Sequence, residues 1–151
     1  MNSNKDEKFD RFIEQIQNEI MEEERAIYSE KVLEEFNNPQ NVGRMTHPDA
    51  FAVMDGSCGD TMELYLKIKN DIIQDVTFMT DGCGATIACG SKITQMVKGK
   101  RLAEVEVLTK DDLIDALDGL PDDNIHCAAL TVGTLRKALR YYNKHKKMGW
   151  K

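Results

Sequence analysis

The sequence predicts a mixed fold, with a small three-stranded antiparallel sheet packed by about five helices and an extra amphipathic helix at the N-terminus. Three observations lead there. Met62, Leu64, Leu66 and Ile68 alternate with Thr61, Glu63, Tyr65 and Lys67, the period-two pattern of a half-buried strand. Lys69-Asn70-Asp71 supplies a tight turn, after which Ile72 to Met79 returns as another strand. On both sides of that hairpin, apolar residues recur every three or four positions, which is helical spacing.

Taken in order, Phe9, Phe12, Ile13, Ile16 and Ile20 form an apolar stripe with acids between them, so residues 6–26 read as an amphipathic helix. The stripe is read as packing on its own domain. A subunit contact, as in a homodimer, or a partner contact is the alternative. A second helix runs from Ser29 to Phe36, with Ser29 as N-cap and Asn37-Asn38-Pro39 as the stop. Residues 38–49 read as an irregular connection. Ala50 to Met54 is a short strand leading into Asp55-Gly56-Ser57-Cys58-Gly59-Asp60. The middle strand runs away from Cys58 and the third runs back towards Cys83, so antiparallel strands of matching length bring the two loops together. Residues 85–98 form a helix ended by Gly99. Thr109, with Asp112 three residues on, opens another that stops at Gly119. The last helix carries Ala128, Val132, Leu135, Leu139 and Tyr142 on one face, with His126 and Cys127 at its beginning. The expected organisation is an extension over residues 1–27, one domain over 28–147 and a tail over 148–151.

A chain of 151 residues with 41% hydrophobic and 30% charged side chains fits one soluble globular domain. No apolar run approaches the roughly 20 residues that span a bilayer, and the N-terminus lacks a signal peptide's apolar core. The expectation is therefore a cytoplasmic protein with no membrane partner. In that compartment four cysteines are ligands or reactive thiols rather than disulfides. A net charge of −6 argues against nucleic-acid binding. The charge is uneven: residues 1–26 hold eight acids and four bases, and Arg136 to Lys151 holds seven Lys/Arg and no acid. The basic run reads as complementing the dipole of the last helix; a docking surface for an acidic protein is the alternative.

The chemistry centres on Asp81-Gly82-Cys83-Gly84. Glycine on both sides leaves the sulfur uncrowded between strand and helix, and a thiol at a helix N-terminus has its thiolate favoured by free N–H groups. Cys58, Cys83 and Cys127 lie 25 and 44 residues apart, so no local zinc-knuckle pattern is present. Each sits at a loop or element end, and His126 places an imidazole beside the third thiol. Three thiolates and one imidazole make a full set of four donors for tetrahedral zinc or iron–sulfur chemistry. Asp60 reads as a surface residue, a strand cap, or a hard oxygen ligand whose competition with sulfur makes a bound centre less permanent. Asp81 either repels a thiolate at Cys83 or shapes the turn. Cys89 lines up with Ile93, Met96 and Val97 and reads as a small buried hydrophobe. A redox pair of Cys83 with Cys89 lacks the Cys-x-x-Cys spacing. His47 and His145 read as surface histidines.

Several segments, in order, resemble the U-type iron–sulfur cluster assembly scaffolds, the IscU family and the N-terminal domain of NifU. They are Tyr28-Ser29-Glu30-Lys31-Val32, Asn38-Pro39-Gln40-Asn41-Val42-Gly43, Cys58-Gly59-Asp60, Gly82-Cys83-Gly84 with Ile87-Ala88, Val97-Lys98-Gly99-Lys100, and Ile125-His126-Cys127. The resemblance covers roughly residues 28–143 and implies an α+β fold. It implies a scaffold rather than an enzyme, one that receives sulfur from a cysteine desulfurase, builds a [2Fe–2S] cluster from that sulfur and iron, and hands it to apo-acceptor proteins. Carried over residue by residue, Cys58, Cys83 and Cys127 are ligands and sulfur acceptors, His126 is a fourth ligand and Asp60 tunes lability. Zinc suits the same donors in the cluster-free form. The alternative is a zinc-binding, sulfurtransferase-like partner of a desulfurase; such members usually lack the histidine before the last cysteine, so His126 favours the scaffold. The resemblance departs at Leu120-Pro121-Asp122-Asp123-Asn124, an acidic peptide where the family has an apolar, cationic one. Recruitment of the Hsp70-type chaperone is therefore not carried over. Cys89 stands where the family usually has a small hydroxyl residue.

Overall fold

The computed structural model describes residues 3–57 and 59–147. Its elements are α1 (Ser3–Ile27), α2 (Glu30–Asn37), β1 (Ala50–Asp55), β2 (Thr61–Lys69), β3 (Ile72–Thr80), α3 (Gly84–Val97), α4 (Leu102–Glu106), α5 (Lys110–Ala116) and α6 (Ile125–Lys147). A single 3-10 turn, Asp122–Asn124, leads into α6.

The alternation in the middle strand sets the sheet. Met62, Leu64, Leu66 and Ile68 point inward while their neighbours stay half-exposed. β1, β2 and β3 form one antiparallel sheet in sequence order. The β2–β3 turn places Asn70 and Asp71 at φ 55° and 61°. Paired positive φ values are what a two-residue hairpin needs for its turn to match the twist of the strands. A register shift between Lys67 and Ile68 lengthens β3 by one residue near that turn.

Helices α3 and α6 pack on the inward face of the sheet. Ile93 and Val97 of α3, and Ala128, Leu135 and Leu139 of α6, meet Phe78, Leu64 and Leu66 there. Each of these side chains larger than alanine gains roughly 1.5–3 kcal/mol from leaving water, so this layer fixes where α3 and α6 begin. α2 packs on α3 and α5 on α6. Ser29 caps α2 by accepting the Val32 N–H at 3.1 Å, and its own hydroxyl donates to the Leu117 carbonyl at the end of α5. Thr109 and Asp112 form the reciprocal box at the start of α5, and positive φ at Asp118 and Gly119 ends it. The connection over 38–49 is irregular, but Asn41 to Gly43 runs beside β3 and exchanges backbone hydrogen bonds with Phe78. At the opposite edge of the sheet, the Lys137 ammonium donates to the Val53 carbonyl at 3.0 Å.

One expectation needs correction. The stripe of α1 does not pack on the domain: Phe9 is 63% exposed, Phe12 57% and Ile20 49%, with Ile13 and Ile16 also exposed. The helix touches α2, but the helix-bearing face of the sheet is already filled by α3 and α6. Amphipathic spacing shows that a face suits cover without showing what covers it. The short helix α4 is one for which the sequence offers no signal. Five residues are too few to display a period, and only Leu102 and Val105 are buried. No helix among the described residues is long and apolar enough to cross a membrane.

Candidate metal centre

The strands place the chemistry at one end of the sheet. The pairs Asp55 with Thr61 and Met62 with Thr80 bring the loop after β1 alongside the loop after β3, as the antiparallel geometry requires. The two loops are then stitched together. An Asp81 carboxylate oxygen accepts the Thr61 N–H at 2.8 Å, and the Thr80 hydroxyl donates to the Thr61 carbonyl at 2.6 Å. Of the two roles open to Asp81, the structure shows the one that shapes the turn. It holds the residue after Asp60 against the residue before Gly82.

Cys83 is the N-cap of α3 and is exposed. Partial burial pushes its thiol up, but the Thr86 and Ala85 N–H groups favour the thiolate, and the net direction is down from the ordinary thiol value. A thiol held this way is more readily deprotonated and stays open to reagents. Cys127 sits in the first turn of α6 and is fully buried. Its thiol is pushed up, first by burial and then by the charge of Cys83 nearby. His126, half-buried, places Nε2 3.5 Å from Cys127 Sγ. Asp60 completes the group: one donor atom each from Asp60, His126 and Cys127 lie within 4.8 Å of one another. A modest contraction would let one metal ion sit roughly 2.0–2.3 Å from each of these atoms.

Thr86 lies at the middle of these groups. Its hydroxyl is 2.9 Å from Asp60 Oδ2, 3.2 Å from Cys127 Sγ and 3.6 Å from Cys83 Sγ, and the residue is fully buried. The sequence reading did not single it out. The available signal was its place three residues after Cys83, one helical turn along, as a polar side chain in a run of small and apolar ones.

Of the residues expected at the site, Asp60, Cys83, His126 and Cys127 are brought together from three distant stretches of the chain. Cys58 lies outside the described residues. Cys89 is fully buried on the apolar face of α3, as expected, and burial followed by the charges of Cys127 and Cys83 pushes its thiol far up. His47 is exposed, and the His145 ring lies against Tyr141.

A family model described as the NifU-like N terminal domain matches residues 27–149. The chain belongs to this family. Its relatives within the NifU-like family include the iron-sulfur cluster assembly scaffold protein IscU 1 of Archaeoglobus fulgidus, 40% identical over 124 residues that cover 81% of this chain and 81% of that protein. The iron-sulfur cluster assembly scaffold protein IscU of Aquifex aeolicus is 42% identical over 118 residues, covering 76% and 75%. In fold, the chain is similar to a nitrogen-fixing NifU-like protein (N-terminal) from Brucella abortus, with a TM-score of 0.62 at 21% identity over 78% of this chain and 95% of that one. The NifU-like fold accounts for the three-stranded sheet and the helices around it.

Proposed function

We propose that this chain is a scaffold on which an iron–sulfur cluster is assembled and from which it is passed on. The cluster is its cargo. What carries the reading is one observation: Asp60, Cys83 and Cys127, distant in sequence, meet around a single buried hydroxyl, with the His126 ring beside Cys127. Relatives at 40% identity or better bear the scaffold name.

Cys58, Cys83, His126 and Cys127 would hold a [2Fe–2S] cluster, with Asp60 as a competing oxygen donor. Sulfur and nitrogen donors suit iron, whereas an oxygen donor within the same group offers an alternative coordination that eases departure. Among the described residues, Cys83 is the thiol best placed to accept sulfur. Its thiolate attacks the outer sulfur of a persulfide on a cysteine desulfurase. A new S–S bond forms as the old one breaks, and the desulfurase cysteine leaves as a thiolate. The exposure of Cys83 leaves room for that approach, and the buried Cys127 then serves as a ligand rather than the first acceptor. Acceptance of the cluster by apo-proteins completes the role.

The test is anaerobic reconstitution with ferrous iron and sulfide, followed by visible absorption and iron and sulfide analysis. Wild type gains the visible bands of a cluster, and serine at Cys58, Cys83 or Cys127 weakens them. Unchanged spectra in all three single variants would remove the ligand assignment.

A further inference from the structure

We infer that Thr86 is a positioning residue that fastens Asp60 to the metal-binding group. The inference rests on reading Asp60, Cys83, His126 and Cys127 as donors, and it concerns a residue that reading does not include. A threonine hydroxyl carries one proton and two lone pairs. Among the three groups around it, the Asp60 carboxylate is the strongest acceptor and the nearest, at 2.9 Å, so the proton goes there as a charge-assisted bond. The same oxygen lies 3.2 Å from Cys127 Sγ and 3.6 Å from Cys83 Sγ. One buried side chain thereby links the oxygen donor to both described sulfurs.

The packing around Thr86 leaves it little freedom. A Cβ placed on Gly82 would lie 2.7 Å from Thr86 Cβ and 2.8 Å from its Oγ1, so the missing side chain at Gly82 is the space the threonine occupies. Among the described residues, the loop that carries Asp60 is held by the Gly56 N–H to the Asp60 carbonyl, by the Gly59 N–H to the Gly56 carbonyl and by Asp81 to the Thr61 N–H. These bonds fix backbone. Among the described residues, the contact that orients the Asp60 carboxylate itself is the one from the Thr86 hydroxyl. Outer groups that orient metal ligands in this way change metal affinity by roughly 10–100-fold when removed.

Titration of the full-length, metal-free chain with cobalt(II) alone tests this, read by the sulfur-to-cobalt charge-transfer and ligand-field bands. Thr86→Val, which keeps the shape and removes the hydroxyl, is expected to weaken cobalt binding roughly 10–100-fold, and Thr86→Ser to restore it. In an Asp60→Ala background the valine change is expected to add nothing, because its effect runs through Asp60. A purely structural role would lower the melting temperature equally in both backgrounds without this dependence. Gly82→Ala is a second route: it keeps the hydroxyl but displaces it, and shows the same loss only when Asp60 is present. Wild-type affinity in Thr86→Val, or an equal loss with and without Asp60, overturns the inference and leaves the scaffold reading standing. A wild-type chain with no sulfur-to-cobalt band overturns the donor assignment beneath it.

Discussion

Two helical glycines carry opposite predictions for the same substitution. Gly90 lies in α3 and Gly133 in α6. Alanine in a helix interior is favoured over glycine by about 1 kcal/mol, so propensity alone would stabilise both variants. The surroundings differ. A Cβ at Gly90 would sit 2.4 and 2.6 Å from two carbons of the Phe78 ring, far inside the roughly 3.5–4.0 Å optimum for carbon contacts. Phe78 is 1% exposed at the centre of the core, so the ring has nowhere to swing and α3 must lift from β3. Overpacking of this kind costs about 1–3 kcal/mol, and the contact belongs at the upper end, leaving a net loss of about 1–2 kcal/mol after the propensity gain. A Cβ at Gly133 would instead meet Met54 Cε and Sδ at 3.6 and 3.7 Å, an ordinary contact. Gly133→Ala is therefore expected to gain about 0.5–1 kcal/mol. At about 2–4 °C per kcal/mol for a chain of this size, metal-free Gly90→Ala should melt roughly 2–8 °C lower and Gly133→Ala roughly 1–4 °C higher. Phe78→Leu should relieve part of the Gly90→Ala deficit. A Gly90→Ala protein melting at or above wild type would refute the argument that the α3–β3 contact is closed.

Two further outcomes follow from exposure. In the metal-free native protein, Cys83 should be alkylated by iodoacetamide well before Cys127, and Cys89 last, as followed by peptide mass spectrometry. Cys83 is exposed with a lowered thiol, whereas the other two are fully buried with raised ones; simultaneous modification of all three would contradict the burial pattern. Deleting residues 1–27 should change the melting temperature of the remainder by no more than about 1–2 °C, the range of about 0.5 kcal/mol seen for surface changes. A fall of several degrees would show that the α1 stripe contributes to the core after all.

The parts of the fold that were legible in the sequence are those whose signal is local. Alternation over Thr61 to Ile68 and the Asn70-Asp71 turn specified the hairpin without reference to anything else. Ser29 and Thr109 marked helix starts because a capping hydroxyl acts within three residues. The meeting of the loops after β1 and β3 followed from strand direction and length, which is why the Cys58 and Cys83 loops could be brought together from the sequence. What stayed hidden depends on distant partners. The α1 stripe looks like a core-facing helix because periodicity carries no information about what lies opposite. Asp81 could not be assigned because its partner, the Thr61 N–H, is a backbone group with no sequence signature. Thr86 is a conventional helix residue by composition, and only the arrival of Asp60 and Cys127 from elsewhere gives its hydroxyl a task.

The borders of the sheet have a consequence for association. An unpaired edge exposes a row of N–H and C=O groups on which another chain can template itself. Here β3 is flanked by the Asn41–Gly43 segment, and β1, which displays Phe51 and Val53 to solvent, has a lysine ammonium seated on the Val53 carbonyl. A charge parked on that rim acts as a gatekeeper. It lets the molecule keep reactive loops open at the sheet's end without its strands recruiting neighbours into a growing ladder.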